Sequence, residues 1–463
     1  MYNFDFSIPQ TVYFIGIGGI SMSGLAEFLL DRGFKVYGSD SKESSLTDSL
    51  SDKGAVIFYD QSVSHIPAET DCVIYTAAIN SRNAELVDAG ERNIPLLTRA
   101  ELLGQVMKLF PVSIAVSGTH GKTTTTSMIS DILLEAGTDP TLSIGGILPT
   151  IGSNFRVGQG SHFVTEACEY TNSFLSFFPS VEVILNIEAD HLDFFKDLDD
   201  IRASFKKFAE LLPDTGLLII NGDIPDYKYI TSGLNCKIIT VGTSSENDYY
   251  AEDISFDSNA RASFYARCNI KEQESSRSIT LGVPGIHNVY NSLAAIALAD
   301  ELGINYATLD SALRGFKGSC RRFEYKGEYN GFSIYDDYAH HPTEINATIS
   351  TALQVEKNEL WVIFQPHTYT RTKALMDDFA LALSKADHVI LADIYAARET
   401  DTLGISSADL AAKINALGTD SHYFSSFAEI ENYVKEKCTK NDLLITMGAG
   451  DVVNIGESLL TKK

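Results

Sequence analysis

The residues best suited to chemistry gather at Ser117-Gly118-Thr119-His120-Gly121-Lys122-Thr123-Thr124. Glycines let backbone N–H groups converge on one point, and a lysine beside a threonine adds a cation and a hydroxyl. Such a set grips phosphate, with Lys122 reaching the terminal phosphates and the Thr123 hydroxyl holding a magnesium ion. The full GxxxxGK[ST] pattern wants glycine where this chain has Val116, so only the GKT end of that pattern is kept. A glycine-rich turn with an incidental lysine is the plain alternative. It does not account for a buried strand on one side of the loop and a helix start on the other.

Two carboxylate and histidine positions belong with this loop. Glu166 ends HFVTEA and His191 follows VILNIEAD, so both stand beyond the carboxyl ends of strands, the edge where parallel sheets hold ligands. Glu166 and Thr123 would give a magnesium ion the oxygen ligands it prefers, whereas the residues alone leave His191 equally a ligand or a structural side chain. Further on, IYDDYAHHPTE (334–344) brings Asp336, Asp337, Tyr338, His340 and His341 just past a strand, and FQPHTYTRT (364–372) does the same with His367, Tyr369 and Arg371. One such cluster reads as a capped turn; two at adjacent strand ends argue for a site.

A second glycine turn, GIGGISMSG (16–24), looks like a dinucleotide fingerprint, with Asp40 at the ribose-binding position. The third glycine of that pattern is replaced by Ser21, so the turn implies a diphosphate at a helix N-terminus and leaves the nucleotide type open. Two phosphate sites point to two nucleotide-bearing substrates, or to one plus ATP. A nicotinamide-dependent dehydrogenase would leave the GKT loop without a use.

The elements that must position these residues alternate. TVYFI (11–15), FKVYGSD (34–40), AVIFY, DCVIYTAA and IPLLT read as strands, separated by helices with Met22, Leu25, Ala26, Leu29 and Leu30 on one face of the first. VSIAV (112–116), HFVTEA (162–167), VEVILNI (181–187) and GLLIINGD (216–223) form a second set, followed by a polar stretch at 243–280 expected as a surface hairpin insertion and a helix near 288–301. ELWVIFQPH (359–367), HVILADIY (388–395) and DLLITMGAG (442–450) form a third. Strand–helix alternation predicts an α/β protein with parallel sheets. At 463 residues about three domains are expected, here 1–108, 109–317 and 318–463.

Composition narrows the partners. Against 36 Lys and Arg stand 61 Asp and Glu, a formal net charge of -25, which repels nucleic-acid backbones and anionic lipid. The six cysteines are scattered without a CxxC pair, as expected of reduced thiols. No signal peptide or stretch long enough to span a membrane is evident. These features predict a cytoplasmic protein with no nucleic-acid partner and no membrane insertion; the expected form, which composition does not decide, is a monomer or weak dimer.

Taken in order, GIGGISMSGLA, SGTHGKTTTT, NIEADHLDFF, HNVYNSLAA, RRFE, DDYAHHPTE and FQPHTYTRT resemble the Mur ligases over nearly the whole chain. The resemblance implies an N-terminal Rossmann-like domain for a UDP sugar, a central P-loop ATPase with a parallel sheet, and a C-terminal Rossmann-like domain for an amino acid. It implies ATP as co-substrate with Mg2+, two ions, and UDP-N-acetylmuramate and L-alanine as the joined molecules. By the matching motifs, Gly118, Thr119, His120, Gly121, Lys122, Thr123 and Thr124 would cradle ATP, and His287, Asn288 and Asn291 would lie by its adenine. Asp337 would meet the ribose, and Arg322 the γ-phosphate. Thr123 and Glu166 would bind one magnesium and His191 the second. Gly18, Gly19, Ile20 and Ser21 would hold the UDP diphosphate. Tyr338, His340, His367 and Arg371 would surround the amino acid, with Arg371 on its carboxylate and His340 as candidate base. Three stretches depart from the family pattern. Tyr59-Asp60-Gln61 stands where relatives often carry Gly-His, Thr368 replaces an arginine, and Phe205 occupies the place of a lysine that sister ligases carbamylate.

Overall fold

The computed structural model describes residues 2–76, 79–191, 194–270, 275–397 and 399–461. The chain forms two compact units, one of Met1–Ala251, Ala266–Arg277 and Tyr290–Leu313, the other of Glu252–Tyr265, Ser278–Val289 and Arg314–Lys463.

The first unit opens on a wholly parallel sheet of β1 (Thr11–Ile15), β2 (Lys35–Ser39), β3 (Val56–Phe58), β4 (Cys72–Tyr75) and β5 (Leu96–Thr98), in the order β3-β2-β1-β4-β5. All five residues of β1 are buried, as its unbroken apolar run requires of a strand covered on both faces. The chain leaves β1 to one side first and crosses to the other later, so a crevice opens at the carboxyl end of β1, where the glycine turn begins. The helix Ile20–Asp31 follows that turn and buries Met22, Leu25, Ala26 and Leu29.

The same unit continues into β6 (Val112–Ser117), β7 (Thr141–Leu148), β8 (Ser153–Arg156), β9 (His162–Ala167), β10 (Val181–Ile184), β11 (Leu217–Asn221) and β12 (Lys237–Gly242). Their order is β12-β11-β10-β6-β9-β7-β8, parallel except for the β7–β8 hairpin. β6 therefore lies between β10 and β9, which aims the loops after all three at one place. VEVILNI was expected to stay extended through Ile187, but β10 ends at Ile184 because Asn186 turns to brace the neighbouring loop. The stretch 243–280 is not an appended hairpin. It supplies β13 (Tyr249–Phe256), β14 (Arg261–Cys268) and β15 (Ser275–Pro284), and β13 pairs in parallel with β12 through Val241–Tyr249. These three strands are divided between the two units.

The second unit holds β16 (Glu324–Tyr329), β17 (Phe332–Asp337), β18 (Leu360–Phe364), β19 (His388–Leu391), β20 (Asp420–Tyr423) and β21 (Leu443–Met447), ordered β16-β17-β21-β18-β19-β20. Only β16 runs antiparallel. Side chains of β18 alternate between two cores. Leu360, Val362 and Phe364 enter one, Trp361 and Ile363 the other. Among the described residues no helix is long and apolar enough to cross a membrane.

Candidate active site

The loop after β6 owes its shape to two glycines and one asparagine. Gly118 (φ 139°) and Gly121 (φ 84°) lie in the region that favours glycine. A Cβ on Gly118 would come within 3.0 Å of Leu185 Cβ, and one on Gly121 within 2.7 Å of Asn291 Oδ1. Asn186, just past β10, accepts from the His120 N–H at 2.8 Å and donates to the His120 carbonyl at 3.0 Å, while its own carbonyl takes the Thr119 N–H at 3.1 Å. Gly121 caps the helix Lys122–Glu135, which has no side-chain cap and no acidic residue in its first turn. Its leading N–H groups and the positive end of its dipole thus remain for an anion.

Lys122 lies folded onto this loop. Its Nζ donates to the carbonyls of Gly118 (2.5 Å) and Thr119 (3.1 Å) and to Glu169 Oε2 (3.1 Å). Burial pushes the ammonium down, but Glu169, Cys168 and Glu166 together outweigh it and hold Lys122 above the ordinary lysine value. Glu169 is itself 2% exposed, and its Oε1 has no hydrogen-bond partner among the described residues. Sequence reasoning missed this residue. Its only signal is its place three residues after Glu166, on the loop leaving β9.

Thr123 and Glu166 are brought together. The Thr123 hydroxyl donates to Glu166 Oε2 at 3.1 Å, and Oε1 accepts the Gly145 N–H at 2.5 Å. A hydroxyl and a carboxylate side by side, next to an anion-binding loop, are hard oxygen donors of the kind magnesium takes. His191 sits at φ 53° on the loop beyond β10, its ring 4.6 Å from that of Tyr170 and its N–H on Asp190 Oδ1 at 2.7 Å. Among the described residues no three His, Cys, Asp or Glu converge as a metal cage. Phe205 is fully buried, its ring 5.4 Å from that of Phe174.

In the first glycine turn, Asp40 has a structural part. Its Oδ2 accepts the Gly18 N–H at 2.8 Å and so closes the turn. A Cβ on Gly18 would meet that oxygen at 2.9 Å. Gly19 caps the helix Ile20–Asp31 without a side-chain cap, and the Ser21 hydroxyl accepts from Arg99 Nη1 at 2.9 Å.

His287, Asn288 and Asn291 begin the helix Ile286–Glu301. Asn291 closes on Gly121, as above, and Asn288 Nδ2 donates to the Pro284 carbonyl at 2.7 Å. Burial, with the Arg322 guanidinium adding to it, pushes His287 down to about 4, so its imidazole is neutral.

The second unit assembles the remaining residues at the carboxyl ends of β17 and β18. Asp337 spends both oxygens on protein. Oδ2 accepts from the Phe323 N–H (2.9 Å) and Thr348 Oγ1 (3.1 Å), and Oδ1 from the Ala339 N–H (2.8 Å). Burial raises its carboxyl to about 6 against the opposing pull of Arg322. Arg321, beside it, bonds Asp336 and the carbonyls of Gly448 and Gly450, leaving Arg322 to turn outward near Tyr338, 5.5 Å from its ring, and 3.9 Å from Glu344. His340 Nδ1 faces two acceptors, the Tyr338 carbonyl (3.1 Å) and Glu344 Oε2 (3.4 Å), so Nδ1 carries the proton and Nε2 keeps the lone pair. Burial pushes His340 below its ordinary value, with Glu344 opposing. His367 lies 5.7 Å from His340 between ring centroids, and its Nδ1 stands 3.3 Å from Arg371 Nη1. Burial, His340 and Arg371 bring it down to about 4. Tyr395, whose ring stacks 5.8 Å from His367, had no signal in the sequence beyond its strand-end position.

Known proteins match this arrangement along its length. The Mur ligase family catalytic domain matches residues 11–111, the Mur ligase middle domain 116–299, and the Mur ligase glutamate ligase domain 321–450. A UDP-N-acetylmuramate–L-alanine ligase of Lachnospira eligens is 55% identical over 461 residues, covering 99% of this chain and 100% of that one. The ligase of the same name from Agathobacter rectalis is 56% identical, covering 100% of both. The crystal structure of the UDP-N-acetylmuramate–alanine ligase of Thermotoga maritima superposes with a TM-score of 0.82 at 30% identity, covering 98% of each chain. With three domains matched in order and relatives alike from end to end, the chain belongs to the Mur ligase family.

Proposed function

We propose that this chain joins L-alanine to the lactyl carboxylate of UDP-N-acetylmuramate at the cost of ATP, as a step of peptidoglycan precursor synthesis in the cytoplasm. The observation that carries the reading is the Lys122 loop with its adjoining Thr123–Glu166 pair, in a chain whose full-length relatives bear that ligase name. Residues 1–108 bind the UDP sugar, 109–317 bind ATP, and 318–463 bind the amino acid. The high negative charge argues against a nucleic-acid partner, and the working form is a monomer or weak dimer.

A carboxylate is a poor electrophile, so it must first be activated. One of its oxygens attacks the γ-phosphorus of ATP, the bond to the β-γ bridging oxygen breaks, and ADP leaves an acyl phosphate. Backbone N–H groups of Gly118 to Thr124, Lys122 and Arg322 neutralise charge as the phosphoryl group moves. Thr123 and Glu166 would hold one magnesium ion and His191 a second, and ions held there would supply further charge neutralisation. His287, Asn288 and Asn291 seat the adenine. Asp337 holds the turn that presents Arg322, and a ribose contact is a second use of the same carboxylate. Gly18, Gly19, Ile20 and Ser21 hold the diphosphate of the sugar nucleotide.

Arg371 then pairs with the carboxylate of alanine, beside Tyr338 and His367. The neutral amine attacks the acyl carbon, phosphate departs with the bonding pair, and the amine proton passes to His340 Nε2. The test is an amino-acid panel with UDP-N-acetylmuramate and ATP, read as phosphate release. Alanine should give the highest kcat/KM. Release that needs a peptide, or none with any amino acid, would overturn the assignment.

A further inference from the structure

Arg99 enters none of the motifs above, yet its surroundings are those of a ligand-binding residue. It follows β5 directly, at the same sheet edge as the glycine turn, and is the first residue of the helix Arg99–Met107. The nearest carboxylate along the chain, Glu101, is committed to the Thr98 cap, accepting from the Thr98 N–H at 2.7 Å and Oγ1 at 2.9 Å. Among the described residues the guanidinium makes one hydrogen bond, from Nη1 to Ser21 Oγ, and no ion pair. A guanidinium has five donors, so four are left over in a half-buried place. Burying a charge without a counter-ion is costly, and burial indeed holds Arg99 below the ordinary arginine value, with Cys168 and Glu166 offsetting part of it. The neighbouring helix start is equally short of partners. Gly19 gives it no side-chain cap, and its first turn has no acidic residue. Cation and helix terminus therefore face the same volume. Glu166 lies within electrostatic reach of the guanidinium.

We propose that Arg99 is a ligand of the diphosphate of the UDP sugar, forking onto its oxygens and fixing the direction in which the sugar leaves the glycine turn toward Glu166 and Lys122. Planar, paired donors suit two oxygens of a diphosphate, and a lysine offers only a point charge in the same place. The Ser21 contact holds the guanidinium in position before the ligand arrives. This inference rests on the proposed sugar-nucleotide reading of the first domain.

The test uses the full chain with UDP and uridine as probes, read by calorimetry, and the complete reaction, read as phosphate release. In wild type, UDP should bind more tightly than uridine, and this alone checks the parent reading. Arg99→Met should cut the affinity for UDP about 10- to 100-fold while leaving that for uridine unchanged. Arg99→Lys, which keeps the charge and guards against loss of fold, should recover part of it. The KM for UDP-N-acetylmuramate should rise in step, with the KM for ATP unaltered. If UDP binds both variants as it binds wild type, the assignment falls. If only the full sugar nucleotide is affected, Arg99 acts on the sugar carboxylate and the diphosphate assignment also falls. Wild type that ignores UDP altogether would instead sink the parent reading.

Discussion

Lys122 and Glu169 form an ion pair 3.1 Å long at the loop after β6, the ammonium also drawn to two loop carbonyls. The lysine is thereby held on the loop by a carboxylate that, under the proposed function, would compete with phosphate for it. Removing one partner of a buried pair strands the other. Glu169→Gln should therefore lower stability by about 3 kcal/mol in urea melts. It should also tighten ATP binding, since the competitor for Lys122 is gone. An unchanged urea midpoint together with unchanged ATP affinity would remove Glu169 from this role. Lys122→Ala should depress phosphate release by at least about 100-fold while circular dichroism stays that of wild type.

Gly121→Ala tests the loop backbone. At φ 84° a side chain is strained, and the added Cβ would press on Asn291 Oδ1 at 2.7 Å. The expected outcome is a loss of roughly 1–2 kcal/mol of stability and of most ATP turnover. Full turnover in this variant would show that the loop tolerates another path.

The paired imidazoles give a pH signature. His367 stands at about 4 and His340 below its usual value, so both are neutral at pH 7 and protonate only as the medium turns acid. Their folded values lie below the unfolded one near 6.5, so the stability they contribute is complete above that pH and fades as pH falls toward 4. Arg371→Met should raise the alanine KM strongly and shift the His367 titration upward, because a neighbouring cation is lost. An NMR titration of the imidazole follows the second effect directly; a fixed titration point would contradict the contact. His340→Gln should lower kcat by about 100-fold or more and flatten the acid limb of its profile.

Glu182 lies in β10 with no exposure and, among the described residues, neither oxygen bonded, between apolar residues of the central sheet. Burial pushes its carboxyl well above the ordinary value. A raised carboxyl favours the folded state least at high pH, since unfolding lets the acid ionise, and stability falls as pH climbs past about 4.5. Glu182→Met should be more stable than wild type by roughly 1–3 kcal/mol, and by more at pH 8 than at pH 5. A destabilised variant, or a gain that does not vary with pH, would mean that the acid has a partner.

Much of this was legible because chemistry followed the alternation of strand and helix. The buried run VSIAV and the glycines announced a tight turn from a strand into a helix, and Glu166 was visible as the end of a neighbouring strand. Glu169, Asn186 and Arg99 were not, since each acts on a loop remote in sequence, and a lone polar residue after a strand has no periodicity to mark it. Asp40 has a use of the same kind that its spacing did not show, accepting the Gly18 N–H and so closing the turn. The extension of the central sheet was overlooked because β14, with burial alternating along Arg261–Cys268, has the half-polar pattern of a surface hairpin.

Asn186 grips His120 from both ends of its amide. A loop fastened in this way has little backbone freedom of its own, so under the proposed function nucleotide capture would cost little conformational entropy there. Turnover would then need no refolding of the seat between one cycle and the next.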